Sequence, residues 1–200
     1  MRVITGTAKG RPLATVKGRD VRPTADRVKE SLFNVLGPRV IDTEFLDLFA
    51  GSGAVGIEAL SRGARRAVFV DLATQHLKVV EQNLATTGLA AGAELLRRDA
   101  RAAVADLGRR GRRFDLIFVD PPYGHGLVDE ALEAIAAHGL LAEGGWVLCE
   151  HHKKDAVPSA VGEAGGLTKF RELLFGEIII SLYEQTATAP THASREEDPS

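Results

Sequence analysis

Cysteine and long apolar runs are scarce in this sequence, and each scarcity excludes a class of protein. Cys149 is the single cysteine in 200 residues, which rules out an intrachain disulfide and a cysteine-based zinc cluster and suits a reducing compartment. No apolar run approaches the roughly 18 residues that span a membrane, and residues 1–6 lack the apolar stretch of a signal peptide. We therefore expect a soluble, cytoplasmic protein.

Neither positive nor negative charge is in large excess, since the formal net charge is -2. The basic residues are nevertheless clustered. Residues 1–40 contain nine Lys or Arg against three Asp or Glu, and residues 97–113 contain seven Arg against two Asp. Local basic surfaces attract a polyanion more than net charge does. Each cluster therefore indicates either a solvated face or a nucleic-acid contact.

Short apolar strands alternate with helical segments through the middle of the chain, which predicts βαβ units and a mainly parallel sheet. The predicted strands are Phe45–Phe49, Ala67–Val70, Ala93–Leu96, Phe114–Val119 and Trp146–Cys149, and the predicted helices end at Leu60, cover Thr74–Thr87, follow Asp99 and cover Leu127–His138. Two further strands, Lys169–Phe175 and Ile178–Tyr183, are too close for a crossover helix, so we expect them to pair antiparallel.

The first 40 residues follow a different pattern. The segment Arg2–Lys17 mixes β-branched, glycine and basic residues, which predicts an irregular hairpin or arm rather than a core element. A helix is expected next, with Thr24 as its cap, an end at Gly37-Pro38, and one apolar face formed by Val28, Leu32, Val35 and Leu36. We divide the chain into a basic N-terminal arm and helix (1–40), a main domain (41–185) and a disordered tail (186–200).

Four aspartates, Asp47, Asp71, Asp99 and Asp120, fall at or near the carboxyl ends of the first four predicted strands. A parallel sheet brings those ends to one edge, where open α/β sheets bind ligands. One such residue is ordinary, since Asp is common in strand-to-helix turns. Four in succession indicate a binding site.

The turn after the first strand is rich in glycine, and its spacing, Gly51-x-Gly53-x-x-Gly56, superficially matches a dinucleotide fingerprint. The preceding Asp47 would repel a pyrophosphate, so a ligand with an ammonium or sulfonium centre fits better. Asp71 then suits ribose hydroxyls. Asp99, with the backbone N–H of Ala100, suits an adenine edge.

The fourth strand ends abruptly at Asp120-Pro121-Pro122-Tyr123, because consecutive prolines cannot continue a paired strand or a helix. Its carboxyl end therefore has a carboxylate, rigid backbone carbonyls and an aromatic ring. Such groups suit a planar, amine-bearing substrate such as a nucleobase.

These motifs resemble those of class I S-adenosylmethionine-dependent methyltransferases. The segment Asp47-x-Phe49-x-Gly51-x-Gly53 is similar to their motif I, and Asp120–Tyr123 is similar to the (Asp/Asn)-Pro-Pro-(Tyr/Phe) signature of amino-methyltransferases. Three blocks, Arg22–Asn34, Asp47–Ala64 and Phe118–Tyr123, more closely resemble the bacterial RsmD family, which methylates the exocyclic amine of a guanine in small-subunit rRNA. The resemblance covers about residues 2–184.

The resemblance implies a fold, a methyl donor and a set of site residues. The fold is a Rossmann-like, seven-stranded, mainly parallel sheet with an antiparallel terminal hairpin and helices on both faces. The donor is S-adenosylmethionine, and the partner is 16S rRNA within the small subunit or an assembly intermediate. The implied residues are Asp120, Pro121, Pro122 and Tyr123 for catalysis, Thr24, Asp47, Phe49, Gly51, Gly53, Asp71, Asp99 and Ala100 for the cofactor, and Lys9, Arg11, Arg22 and Arg27 for RNA. We further expect a monomer that needs no metal, with Cys149 in the core.

Other functions stay open at this point. A nicotinamide-dependent oxidoreductase is disfavoured by Asp47 and the double proline. A DNA adenine methyltransferase would share the Asp-Pro-Pro-Tyr chemistry but usually adds a target-recognition domain, for which this chain has no room. A non-catalytic RNA-binding assembly factor could retain the same fold. A metal at His151-His152 is disfavoured because adjacent residues of a strand point to opposite faces.

Overall fold

One sheet with helices on both faces makes up the fold. The computed structural model describes residues 1–16, 23–163 (23–25 as backbone only) and 166–186. In chain order its elements are α1 (Pro23–Leu36), β1 (Glu44–Asp47), α2 (Ala54–Ser61), β2 (Arg66–Asp71), α3 (Thr74–Thr87), β3 (Ala93–Arg97), α4 (Ala100–Arg109), β4 (Phe114–Val119), α5 (Leu127–Ala137), β5 (Leu141–His152), β6 (Ala160–Val161), β7 (Leu167–Phe175) and β8 (Ile178–Gln185). Short 3-10 helices occupy Gly37–Val40 and Ala90–Gly92.

The strand order across the sheet is β3-β2-β1-β4-β5-β8-β7-β6. Strands β1 to β5 pair in parallel, and β8 pairs antiparallel with both β5 and β7. The predicted terminal hairpin is therefore confirmed. The expected seven strands become eight in the described residues, because β6 adds a two-residue edge strand that is too short to leave a periodic signal in the sequence.

Strand β5 begins five residues earlier than the apolar pattern predicts. Gly144 and Gly145 interrupt that pattern, yet both lie within the strand. The pairing of β5 with β4 shifts register at this point, from Phe114 opposite Leu141 to Leu116 opposite Trp146. A Cβ on Gly145 would lie 2.8 Å from the Asp115 carbonyl oxygen, so the close approach of the two backbones requires glycine.

Two apolar layers form the core, one on each face of the sheet. Helices α1, α2 and α3 pack on one face through residues such as Leu32, Ile57 and Val80. Helices α4 and α5 pack on the other through residues such as Val104 and Leu132. Among the described residues, no helix combines the length and the apolar character needed to cross a membrane.

The N-terminal segment contributes to this core, contrary to the expectation from sequence. Val3, Ala8 and Leu13 are all at most 5% exposed and belong to the layer that contains α1 to α3. A single bridge between Arg2 and Pro12 closes the segment into an irregular hairpin. We call residues 2–14 the arm. Its apolar residues are spaced too irregularly for a helix or strand pattern to reveal their burial.

Helix α1 begins at Pro23, so Thr24 lies in its first turn and is not the cap that the sequence predicted. Proline suits the first helical position because its missing N–H would have no partner there. The predicted disordered tail lies outside the described residues from residue 187 onwards.

Candidate active site

The carboxyl edge of the sheet has a topological switch point between β1 and β4. From β1 the chain continues to β2 and β3 on one side, whereas β4 and β5 lie on the other. Crevices at such points are where open α/β sheets bind ligands. Asp47 ends β1, and Asp120 directly follows β4, so these two predicted site residues lie on the two sides of the switch point.

The glycine loop, residues 48–53, is held over this edge by backbone hydrogen bonds to both neighbouring strands. Leu48 N–H donates to the Phe118 carbonyl of β4, and Ala50 N–H donates to the Val70 carbonyl of β2, each at 2.9 Å. Gly51 and Gly53 have φ of 55° and 74°. Glycine is favoured at these left-handed positions because it has no Cβ.

Asp47 is 2% exposed, and its Oδ2 accepts the Gly56 N–H at 3.0 Å. It therefore ties the end of β1 to the first turn of α2. Phe49, the other predicted cofactor residue of this segment, is partly buried and packs against the layer of α4 and α5.

Asp71 connects the end of β2 to the glycine loop. Its Oδ2 accepts the Gly51 N–H at 2.9 Å and lies 2.9 Å from His76 Nδ1, while Oδ1 accepts the Ala73 N–H at 2.8 Å. A carboxylate oxygen can accept two hydrogen bonds, so Oδ1 retains capacity for a ligand hydroxyl. His76 lies in the first turn of α3, and no sequence motif marks it.

Asp99 is the N-cap of α4. Its Oδ1 accepts the N–H groups of Arg101 and Ala102 at 3.0 and 3.2 Å. Such caps satisfy helix donors that would otherwise have no partner. Oδ1 forms both of these bonds, so Oδ2 keeps acceptor capacity, and the ligand amine at this position stays a prediction. The neighbouring Ala100 is buried.

The Asp-Pro-Pro-Tyr motif leaves the sheet directly after β4. Asp120 is partly buried, Pro121 is buried, and Pro122 and Tyr123 are exposed. The Tyr123 hydroxyl donates to Glu150 Oε1 at 2.9 Å, and its ring centroid lies 6.2 Å from that of His152. Glu150, on β5, therefore fixes the orientation of the ring. This role of Glu150 could not be predicted from the sequence, because Glu150 and Tyr123 are 27 positions apart.

A cavity of about 260 Å³ lies beside this motif. Its walls are the last three residues of the motif (121–123), the turn that follows them, the first turn of α5, and the segment from Lys154 to Val157. Two glycines of the turn, Gly124 and Gly126, have positive φ of 78° and 68°, which allows the chain to reverse into α5. The cavity is adjacent to the predicted catalytic residues.

Two buried side chains fasten the arm to the rest of the site. Glu58 is fully buried on α2, and its oxygens accept the Ile4 and Thr5 N–H groups at 2.8 and 3.0 Å. Glu58 also pairs with Arg62 at 2.8 Å and with Lys29 at 3.3 Å. Burial lowers the pKa of Lys29, and the nearby Glu58 carboxylate opposes that shift.

Asn83 is the second of these side chains. It lies on α3 and is 1% exposed. Its Oδ1 accepts the Ala14 N–H at 2.7 Å, and its Nδ2 donates to the carbonyls of Ala14 and Ser52 at 3.0 and 2.9 Å. Because Ser52 belongs to the glycine loop, Asn83 connects the end of the arm to that loop. No local motif in the sequence indicates this role.

The predicted RNA-binding residues Lys9, Arg11 and Arg27 are exposed. Arg22 lies outside the described residues, as does the Thr24 side chain.

The second basic cluster, residues 97–113, is largely paired: Arg112 bridges Glu44 and Glu94, and further pairs are Arg101–Glu130, Arg109–Asp106 and Arg110–Asp106. This cluster is therefore mainly part of surface ion-pair networks.

Cys149 and His151 lie in the interior of the sheet. Burial raises the pKa of the Cys149 thiol, so a thiolate nucleophile is disfavoured. His151 Nε2 lies 2.8 Å from the hydroxyl of the buried Ser181. Within the described parts of the chain, no group of three or more His, Cys, Asp or Glu could hold a metal ion.

Comparison with known proteins identifies the family. The model of the family described as "Conserved hypothetical protein 95" matches residues 1–184. The chain belongs to this family. The "Putative rRNA methyltransferase YlbH" of Bacillus subtilis (strain 168) is 40% identical over 185 residues, which cover 92% of this chain and 99% of the relative. The "Ribosomal RNA small subunit methyltransferase D" of Escherichia coli (strain K12) is 33% identical over 193 residues, 96% of this chain and 94% of the relative.

Solved structures agree with these relatives. The "Putative methyltransferase yhhF from Escherichia coli" superposes with a TM-score of 0.79 and 34% identity, covering 94% of this chain and 99% of that chain. More distant chains of the same fold, 15% and 23% identical, were solved with S-adenosylhomocysteine and S-adenosylmethionine. The predicted RsmD family and the class I methyltransferase fold are thus confirmed. S-adenosylmethionine remains the predicted methyl donor.

The residues of this chain fit that donor. Gly51 and Gly53 adopt left-handed backbone conformations, which form the sharp turn of the glycine loop at the switch point. Asp71 Oδ1 can accept a ribose hydroxyl and Asp99 Oδ2 an adenine amine, without breaking the hydrogen bonds that these aspartates already form.

Proposed function

We propose that this RsmD-family methyltransferase transfers the methyl group of S-adenosylmethionine to the exocyclic amine of a guanine in 16S rRNA. The observation that supports this is the position of Asp120–Tyr123 across the switch point from Asp47 and the glycine loop. The relatives named as ribosomal RNA small subunit methyltransferases supply the substrate class. We place the activity in the cytoplasm, on the small subunit or an assembly intermediate, by a monomer.

The Asp-Pro-Pro-Tyr motif would act by positioning the amine. S-adenosylmethionine supplies an electrophilic methyl group. A guanine amine is a poor nucleophile because its lone pair is delocalised into the ring. The Asp120 carboxylate and the Pro121 carbonyl would accept hydrogen bonds from the N–H groups of this amine and direct its lone pair towards the methyl group of S-adenosylmethionine. Pro122 would keep the backbone rigid. Catalysis would thus depend on orientation and electrostatic stabilisation.

Tyr123 would stack on the target base. Its ring is 40% exposed, and its hydroxyl is held by Glu150. Stacking of a base on an aromatic side chain contributes roughly 1–3 kcal/mol. A paired guanine cannot bring its amine to this edge, so we expect the base to be flipped out of its helix.

The remaining roles follow the motif positions. We assign Thr24, Asp47, Phe49, Gly51, Gly53, Asp71, Asp99 and Ala100 to the methyl donor, and Lys9, Arg11, Arg22 and Arg27 to RNA. In this proposal residues 1–40 contact RNA and cover the donor, and residues 41–185 form the catalytic domain.

Substitution of Asp120 tests the catalytic assignment. Asp120→Ala removes both acceptor oxygens, so methyl transfer should fall by at least about 100-fold while the Kd for S-adenosylhomocysteine, measured by calorimetry, stays within about threefold. Asp120→Asn keeps one acceptor oxygen and should retain more activity than Asp120→Ala, since the proposed role is positioning. Glu81→Ala, at an exposed carboxylate of α3, is the control. Equal loss of activity and donor affinity in Asp120→Ala would refute the assignment.

The substrate class needs a separate assay. Tritiated S-adenosylmethionine is offered with small ribosomal subunits, naked 16S rRNA and DNA, and the labelled nucleoside is identified. We expect label in N2-methylguanosine from rRNA. Label in N6-methyladenine from DNA would instead identify a DNA methyltransferase, and no label in any of them would favour a non-catalytic RNA-binding factor.

A further inference from the structure

Asp129 lines the cavity beside the catalytic motif. It lies in the first turn of α5, opposite the Lys154–Val157 segment. Pro122, Tyr123 and Val128 contribute flat and apolar surface to the same cavity. A cavity that combines such surface with one carboxylate suits a planar ligand that donates hydrogen bonds.

The Asp129 carboxylate is partly buried, and it forms no hydrogen bond or ion pair with any residue that the structure describes. Burial raises its pKa, the neighbouring Glu133 adds to that shift, and His151 opposes it. Asp155, the other carboxylate of the cavity, differs because its Oδ2 accepts the His152 N–H at 3.3 Å. Asp129 is therefore the carboxylate of this cavity whose acceptor capacity is unused among the described residues.

An ionised carboxylate can only accept hydrogen bonds, and this distinguishes the purines. The Watson–Crick edge of guanine has two adjacent donors, N1–H and N2–H, which match the two oxygens of one carboxylate. Adenine and 2,6-diaminopurine have an unprotonated N1, whose lone pair would face a carboxylate oxygen. Lys154 also lines this cavity, and an ammonium group would suit the O6 acceptor of guanine.

We propose that Asp129 selects guanine by accepting N1–H and one N2–H of the target base. The second N2–H is then left for the Asp120 carboxylate and the Pro121 carbonyl, so Asp129 and the catalytic motif divide the two protons of the amine between them. This inference rests on the proposed function, and it adds a specificity residue that no motif of the sequence contains.

The test compares two bases that both have an amine at C2. Small-subunit rRNA with either guanine or 2,6-diaminopurine at the methylated position is used as substrate, and kcat/KM is measured for each. One bidentate contact to the correct base is equivalent to a discrimination of about 10- to 100-fold. The wild-type protein should therefore prefer guanine by that factor.

Asp129→Asn should abolish or reverse this preference, because its amide N–H can donate to the unprotonated N1 of 2,6-diaminopurine. Glu130→Gln is the matched control: Glu130 is the next residue of α5, is exposed and pairs with Arg101, so the preference should be unchanged. Calorimetry with S-adenosylhomocysteine verifies that each variant is folded and binds the donor.

Three outcomes would contradict the inference. If the wild-type protein methylates both bases equally, Asp129 does not select guanine, although amine methylation stands. The same conclusion follows if Asp129→Asn keeps the wild-type preference. If the wild-type protein methylates neither base, the proposed function fails as well.

Discussion

Burial and the neighbouring Glu133 raise the pKa of Asp129, so its ionised form is less favourable in the folded protein than in the unfolded chain. A carboxyl group whose pKa is raised by burial binds a proton more tightly in the folded state than in the unfolded state. Asp129 therefore contributes to stability at low pH, and this contribution is lost as the pH rises through the folded-state pKa of the group. Groups with a shifted pKa are common in binding sites, where the ligand can supply a hydrogen-bond donor to the carboxylate.

We predict that Asp129→Asn stabilises the protein without a ligand, and more so at pH 7 than at pH 4. The amide cannot ionise, so the variant avoids the cost of a charged, partly buried carboxylate, and this advantage shrinks where Asp129 is protonated. Urea unfolding at both pH values measures the difference, with Glu130→Gln as control. A gain that is equal at both pH values, or absent, would mean that desolvation of Asp129 does not affect folding.

Several residues of the candidate site could not be predicted from sequence, for a common physical reason. Asp47, Asp71, Asp99 and Asp120 were recognisable because each lies at or just after the end of a strand, and a parallel sheet aligns those positions. The supporting residues His76, Asn83, Glu150 and Asp129 follow no such rule. Their partners depend on how loops and helices pack, which a local pattern does not encode.

Helices and strands were predictable where their signal is local. Helix α3 and strand β4 have the bounds expected from the sequence, since α3 is amphipathic and ends before Gly88, and β4 is a continuous apolar run bounded by polar residues. Strand β6 and the start of β5 were missed, because two residues have no period and Gly144-Gly145 resembles a loop. The burial of the arm was also missed, since its partners are distant in sequence.

Helix α3 supports two elements at once through Asn83. Replacement by Leu would leave the Ala14 N–H and the Ala14 and Ser52 carbonyls without their partner. We predict a loss of about 1–3 kcal/mol in the free energy of unfolding and a weaker affinity for S-adenosylhomocysteine, because Ser52 lies in the glycine loop. Urea unfolding and calorimetry measure the two effects.

The control for Asn83→Leu is Gln82→Leu, at the preceding and exposed position of α3. It should change neither quantity appreciably. Unchanged donor affinity in an Asn83→Leu protein that is destabilised would limit Asn83 to a purely structural role.

At the scale of the whole molecule, the two basic clusters differ in how far their charges are paired. Most of the charges of residues 97–113 are neutralised by Asp106, Glu44, Glu94 and Glu130. Lys9, Arg11 and Arg27 are exposed. We therefore expect a polyanion to contact Lys9, Arg11 and Arg27 rather than residues 97–113, although the net charge is -2.

We predict that the double variant Lys9→Glu/Arg11→Glu binds rRNA more weakly than the wild type, and that the defect is larger at low salt than at high salt. The slope of log K against log salt should decrease by about 0.7–0.9 for each phosphate contact removed. Filter binding from 50 to 300 mM salt measures it. Arg113→Glu, at the opposite edge of the sheet just before β4, is the control and should leave the slope unchanged. A defect that is independent of salt would show that these residues do not contact phosphate.

The attachment of the arm also constrains the order in which a newly made chain can be completed. The arm is synthesised before its partners, because Ala8 bonds to Ser61 and Ala14 to Asn83, which are 53 and 69 residues later. Domains form progressively as the chain is made, but contacts over such separations must await the later partner. The arm therefore leaves the ribosome well before it can become fixed. Since Asn83 also bonds to Ser52, a chain interrupted before α3 would lack both a docked arm and a fixed glycine loop.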